Sequence, residues 1–431
     1  MNQNNDLPEG FKMTELGPLP KEWDVVRLGD VVNTKKGKKP EKLEEEWKEN
    51  YLPYLTADYF RTGKPKQFVK LEAETSYITV GENDVIFIWD GSNAGDVFTG
   101  LKGVLASTMV VINPKENLTL TKQFLFYFMK TKFELFNSKT TGSTIPHVSK
   151  SLYENLLIPF PPLREQKKIA AVLSAVQEAR EKTEAVIQAT KELKKSMMKH
   201  LFTYGPVPPS DVDSVPLKET EIGMVPEGWE VVQLGDVFEI QQGKSLSPKS
   251  RAGSRKLPFL RTANVFWGHI DISSLDKMHF EEAEEERLAL KPKDLLVCEG
   301  GEIGRTAMWE GQIPICLYQN HLHRLRTSRT DAYPLFYMYW MQVAWTILGT
   351  YGGAGNKTTI PNLSQSRLSS LSIPLPPLSE QKKIATVLSA IDNKIQAEEN
   401  KKKSLDDLFK TLLNDLMTAK IRVNHLNLGV E

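Results

Sequence analysis

Cysteine is nearly absent. The 431 residues hold two, Cys298 and Cys316, both late in the chain, so a disulfide framework is excluded and a reducing compartment is the plain reading. Nor does one charge sign prevail: 55 basic residues against 54 acidic ones leave +1, which argues against binding a polyanion by bulk charge. A charged face can still hide in a neutral total. No apolar run is long enough for a membrane span, which needs about 20 residues. The most apolar stretch, Tyr333 to Leu348, is broken by Pro334 and Gln342 and reads as a buried helix with Lys122 to Phe136 as its counterpart. Met1 to Asp6 lacks a basic start followed by an apolar run, so no secretion signal and a cytoplasmic protein are expected.

Catalytic motifs are missing as well. Gln242-Gly243-Lys244-Ser245 ends like a phosphate loop, but Phe238 stands where that loop needs its first glycine, and in Gly355-Asn356-Lys357-Thr358 an Asn parts Gly from Lys. His321 and His323 alternate on an expected strand near the two cysteines without the clustered spacing that a metal requires. No glycine-rich dinucleotide turn and no Asn-Pro-Pro-aromatic signature of base methylation occurs. No catalytic residue, metal or cofactor of this chain's own is expected.

What the chain does contain, it contains twice. Lys12-x-Thr14-Glu15-Leu16-Gly17-x-x-Pro20-x-x-Trp23-x-Val25-Val26-x-Leu28-Gly29-Asp30-Val31 returns from Lys218 to Val237, and Ile158-Pro159-x-Pro161-Pro162-Leu163-x-Glu165-Gln166-Lys167-Lys168-Ile169-Ala170 returns from Ile373 to Ala385. So long a period marks a duplicated domain, not a solenoid. Within each copy, short Val-rich and Leu-Pro-aromatic-Leu runs (Leu52 to Leu55, Leu257 to Leu260) predict strands. Beyond each proline-rich segment, neither proline nor glycine appears until Gly205 or Gly429, which predicts two helices of roughly 40 residues, about 60 Å each. Ile384, Leu388, Ile391, Ile395, Glu398, Lys402, Leu405, Phe409, Leu412 and Leu416 keep 4-3 spacing, as do Val172, Val176, Ala179, Thr183, Val186, Thr190, Leu193 and Met197. Coiled-coil seams follow, antiparallel because a whole domain lies between them. The predicted fold is therefore α+β: two similar strand-rich domains (1–163 and 218–378), long helices at 164–204 and within 379–431, and a proline-rich linker at 205–217.

The loops carry side chains suited to nucleic acid. In the first copy these are Lys36, Lys38, Lys39, Arg61, Ser92, Asn93, Ser143 and Thr144; in the second, Gln242, Lys244, Arg255, Arg261, Asn264, Arg305, Gln319, Asn320, Lys357 and Thr358. Arg, Lys, Asn and Gln pair with base edges, while Ser and Thr suit phosphates. Each alone reads as a solvated loop residue; as a set on matching loops they read as a DNA interface.

The duplicated Pro-x-x-Trp-x-Val-Val-x-Leu-Gly-Asp-Val, the Gly-Ser-Thr-Ile-Pro and Asn-Lys-Thr-Thr-Ile-Pro loops, and Pro-Pro-Leu-x-Glu-Gln-Lys-Lys-Ile-Ala before each long helix resemble the specificity subunit of type I restriction-modification systems. The resemblance runs from about Lys12 to Ala419. It implies two target-recognition domains that each read one part of a bipartite, asymmetric double-stranded DNA site. The paired helices would set the unread spacer and dock two methyltransferase subunits. Catalysis, with AdoMet, ATP and Mg, would belong to those subunits and to endonuclease or motor subunits. Glu165, Gln166, Lys167, Lys168, Glu380, Gln381, Lys382 and Lys383 would sit at the domain-to-helix junctions, as partner contacts or as ordinary helix caps. A coiled-coil scaffold, or the specificity subunit of a modification-only system, fits the same residues.

Overall fold

The computed structural model describes residues 7–71, 77–141, 146–351 and 362–429. The chain divides into two compact units, Met1–Thr183 with Asn400–Glu431, and Glu184–Glu399. Both are built alike.

Unit 1 opens with a hairpin, Phe11–Thr14 against Gly17–Pro20. The strand Asp24–Arg27 then pairs antiparallel with Leu157–Phe160, so the globular part begins and ends at one place. Between them lies an antiparallel sheet in the order Val32–Lys36, Met109–Pro114, Val85–Ile88, Val97–Phe98. A second sheet joins Phe68–Lys70, Tyr51–Leu55, Gly103–Leu105 and Thr79–Val80, with Gly103–Leu105 parallel to Tyr51–Leu55.

Val85–Ile88 has no polar residue because both of its faces are covered. Alternate side chains point to opposite sides of a strand, so Val85 and Phe87 enter one core while Ile86 and Ile88 enter another.

Unit 2 repeats this plan. Its hairpin is Leu217–Thr220 with Gly223–Pro226, and Glu230–Gln233 pairs with Ser372–Leu375. The central sheet runs Glu239–Gln242, Leu322–Arg326, Leu295–Cys298, Thr306–Met308. Leu295 and Val297 face one core, Leu296 and Cys298 the other. The helix expected from Tyr333 to Leu348 spans Pro334–Thr346, and its counterpart spans Lys122–Lys130. The elements beside the central sheet differ in several places, and one of them borders the turn. Where unit 1 has the short helix Ala57–Thr62, unit 2 has a tight hairpin, Val265–Phe266 against His269–Ile270.

The long helices are Leu163–Tyr204, 42 residues, and Leu378–Met417, 40 residues. In unit 2, Lys191 pairs with Glu399 at 2.7 Å and Lys194 with Asp392 at 2.6 Å, so numbering rises on one helix as it falls on the other. Unit 1 shows the same sense, with Arg180 against Asp406 and Lys168 against the Asn424 carbonyl. The pairing is antiparallel in both. The seam of the second helix holds: none of its ten positions is exposed. That of the first is corrected beyond Thr183. Val186 and Leu193 are exposed, while Ile187 and Met198 are buried. A straight helix of 3.6 residues per turn drifts by about 20° per heptad from a 3.5 repeat, and the buried stripe shifts by one residue.

Candidate nucleic-acid interface

The loop predictions of unit 1 converge on one turn, which follows the strand Val85–Ile88. Lys36, at the end of the neighbouring strand, reaches Asp90 at 2.7 Å, and the other oxygen of Asp90 meets His147 Nδ1 at 2.8 Å. Ser92 and Asn93 form the turn's outer part, held from behind by Asn137, whose amide donates to the carbonyls of Ser92 (3.0 Å) and Ala94 (3.1 Å). Arg61 arrives from the other side and pairs with Asp96 at 2.8 Å. Lys38 and Lys39 follow on an exposed segment. Gly37 leads into it because a Cβ there would stand 2.2 Å from the Ala106 carbonyl; Gly243 meets the same constraint, 2.4 Å from that of Gln319. Ser143 and Thr144 lie outside the described residues, but their flanks are fixed to this turn: Gly91 N donates to Pro146 O at 2.8 Å, and Asp90 bridges to His147.

Unit 2 builds its turn at Glu299 to Arg305. Gln242, in the place of Lys36, donates to Glu299 at 3.0 Å and to the Asn320 carbonyl at 2.9 Å. His321 and His323 both stand 4.0 Å from the Glu299 carboxylate, His321 exposed and His323 buried. Burial holds the His323 imidazole below its ordinary pKa and hence neutral. Gln319 and Asn320 lie beside them, half-exposed, and among the described residues their amides have no partner. Lys357 and Thr358 fall outside the described residues.

The remaining predictions for unit 2 are partly spent within the protein. Lys244 is tied to Glu284 and the His279 carbonyl, Arg255 to Glu285, and Arg261 to Asp276 at 3.1 Å. Asn264 is corrected outright as a surface reader. At 6% exposure, its side chain accepts from Arg261 N (2.9 Å) and donates to the carbonyls of Asp271 (3.1 Å) and Ser274 (3.2 Å). It ties its own loop together.

The junction motifs explain each other. Trp23 Nε1 donates to Glu165 at 2.8 Å, and Trp229 Nε1 to Glu380 at 2.9 Å. Gln166 accepts from Thr121 N and donates to Pro161 O, both at 2.9 Å. Gln381 does the same with Tyr333 N and Pro376 O, both at 2.8 Å. Pro-x-x-Trp and Glu-Gln are therefore two sides of one clasp that seats each domain on its helix head. Glu165, Gln166, Lys168 and Gln381 are buried and Glu380 is half-buried; the expectation that they face a partner is corrected by that burial. Lys382 and Lys383 are exposed, and Lys167 half-exposed.

Sequence reasoning missed Asp90, Asp96, His147 and Glu299, the groups that orient the cations and amides. Acidic residues attract no notice in a search for DNA contacts.

Cys298 and Cys316 are free and buried, which pushes their thiols up to about 11 and about 12. Among the described residues no group of three or more His, Cys, Asp and Glu side chains is placed to hold a metal ion. No helix among them is long and apolar enough to cross a membrane.

Comparison with known proteins agrees with this picture. Residues 20–192 and 226–407 each match the family described as type I restriction modification DNA specificity domain. The MjaVIII type I restriction enzyme specificity subunit of Methanocaldococcus jannaschii is 35% identical over 434 residues, covering 97% of each chain. The putative MjaX specificity subunit of the same organism is 26% identical over 438 residues, 96% of this chain and 97% of the relative. The crystal structure of a type I restriction-modification system S subunit from M. genitalium shares the fold, with a TM-score of 0.60 and 20% identity over 96% of this chain and 98% of that one. The duplicated scaffold, the two matching turns and these relatives agree: this chain belongs to the type I restriction-modification DNA specificity family and carries its domain twice.

Proposed function

We propose that this chain selects the DNA sequence on which a type I modification and restriction complex acts, each unit reading one part of a bipartite, asymmetric site. One observation carries the reading. The two units keep the same clasps and strand registers, while the central turn of each and the loops beside it differ in charge and in polar groups. Lys36 and Arg61 in unit 1 stand against Gln242 and Phe266 in unit 2. A duplicated scaffold under different reading groups supports two different half-sites.

Phosphate contacts from Lys38 and Lys39 would set register, and Lys36, Arg61, Asn93, Gln242, Gln319 and Asn320 would meet base edges. The two continuous helices would set the unread spacer, and methyltransferase subunits would dock at the helix heads through Lys382, Lys383 and Lys167. Methyl transfer and cleavage, with AdoMet, ATP and Mg, would belong to the partner subunits.

Co-expression with the methyltransferase subunit, followed by mapping of methylated adenines, tests this. An asymmetric bipartite motif is the expected result. Methylation with no sequence preference, or a palindromic motif, would sink it.

A further inference from the structure

Two positions touch each other in both units, and their chemistry is exchanged. Arg61 is the sixth residue after the strand that ends at Leu55, and Phe266 is the sixth after the strand that ends at Leu260. Asp96 and Arg305 close the turn at equivalent points: each passes its carbonyl to the last residue of the central strand, Ile88 or Cys298, at 2.9 Å. In unit 1 the pair is an ion pair, Arg61 Nη2 to Asp96 at 2.8 Å. In unit 2 it is a cation over a ring, with the Arg305 guanidinium 5.4 Å from the centre of Phe266.

In each pair one member is presented and the other supports it. The Arg61 side chain is 43% exposed, and among the described residues its Nε and Nη1 donate to nothing. Phe266 is likewise 43% exposed, on a hairpin fixed to the sheet by Gly268 N donating to Thr306 O at 2.9 Å. Arg305 is only 13% exposed and is anchored to the Thr262 carbonyl at 2.8 Å; it lies under the ring and does not reach outward. Its ring, flanked by His269 at 6.5 Å and backed by Arg305, keeps one apolar face to solvent beside the turn.

Resting on the reading of both units as DNA readers, we propose that the position of Arg61 and Phe266 is a specificity-determining switch, with Asp96 and Arg305 as positioning residues. The held guanidinium of Arg61 offers two N–H donors to the N7 and O6 acceptors of guanine, while the ring of Phe266 offers an apolar surface to the 5-methyl of thymine. At this one step the half-site of unit 1 carries guanine and that of unit 2 carries thymine. Single exchanges break the pair: Phe266→Arg sets two guanidinium groups against each other, and Arg61→Phe leaves Asp96 without its cation.

The test uses the full chain assembled with its modification subunits, with the preferred sequence selected from randomised duplexes. The double variant Phe266→Arg with Arg305→Asp rebuilds the unit 1 pair in unit 2. One position of that half-site is expected to move from thymine to guanine by about tenfold or more, with every other position unchanged. A second arm needs no variant. Deoxyuridine replaces each thymine of the wild-type target in turn, and one replacement should weaken binding about fourfold, the worth of one buried methyl. Phe266→Ala should abolish that loss. Unchanged selection by the double variant, or indifference to deoxyuridine at every thymine, overturns the switch. A wild-type assembly that selects no sequence overturns the DNA reading itself and the switch with it.

Discussion

Unit 1 and unit 2 agree where they hold their helices and disagree where they meet solvent at the central turn. The tryptophan-to-glutamate bonds, 2.8 and 2.9 Å, and the glutamine-to-backbone bonds are the same in both. At the turn, Lys36 and Asp90 are answered by Gln242 and Glu299, and Arg61 and Asp96 by Phe266 and Arg305. The copies are identical in side chains that satisfy buried groups of the clasp, and they differ in side chains that pair with one another around the turn. Identity between the copies thus marks the scaffold, and difference marks the site.

The clasps are not quite equal, and that inequality gives the largest expected effect. Glu165 accepts from Trp23 and also from Arg422 Nε at 2.6 Å and Nη2 at 2.9 Å, whereas Glu380 accepts from Trp229. Glu165→Ala should cost about 2 kcal/mol by leaving the indole N–H unpaired and Arg422 with Glu22 as its remaining carboxylate, and Glu380→Ala about 1 kcal/mol. Denaturant unfolding of the two variants measures the gap. Equal losses would show that Arg422 adds nothing and that the clasps are equivalent.

An effect of similar size separates scaffold from site inside unit 2. Asn264 closes its loop with three hydrogen bonds, where unit 1 has the short helix Ala57–Thr62 and needs no such tie. Asn264→Ala should cost about 2 kcal/mol, the desolvation of groups left unpaired, and leave the preferred bases unchanged. Gln319→Ala should do the reverse: unfolding within about 0.5 kcal/mol of wild type, with relaxed choice at one base pair. A stable Asn264→Ala protein with an altered half-site would return Asn264 to the reading set.

Much of this was legible beforehand, for identifiable reasons. The duplication, the helix extents and the buried strands rest on patterns local to the chain: proline and glycine punctuation, and apolar runs such as Val85–Ile88. The slip of the seam at Thr183 was not, since either spacing fits Val186 and Ile187 alike and packing decides between them. Nor was the fate of Glu165 and Gln166. Polar residues repeated before a helix look like surface, and their burial depends on Trp23 and Thr121, the former 142 residues away. Candidate cations were found by type, while the carboxylates that aim them came to light only once the turn was built.

The finest distinction between the units lies beneath that turn, where His323 in unit 2 takes the strand position that Val110 holds in unit 1. His323 is fully buried with Nε2 against the Leu363 carbonyl at 3.0 Å. Its folded pKa is lowered because burial outweighs the attraction of Glu299, 4.0 Å away and shared with the exposed His321. An unfolded histidine takes its proton as pH falls through about 6.5, while the buried one stays neutral. Its share of stability is therefore intact above that pH and is lost as pH falls toward the folded pKa. His323→Val should add a constant offset from the lost Leu363 bond and a shallower fall in Tm between about pH 7.5 and 5.5. The slope carries the information, because the lost bond shifts both pH values alike. Parallel wild-type and variant curves would mean that His323 charges as readily inside unit 2 as in water, and that the two strands differ in shape alone.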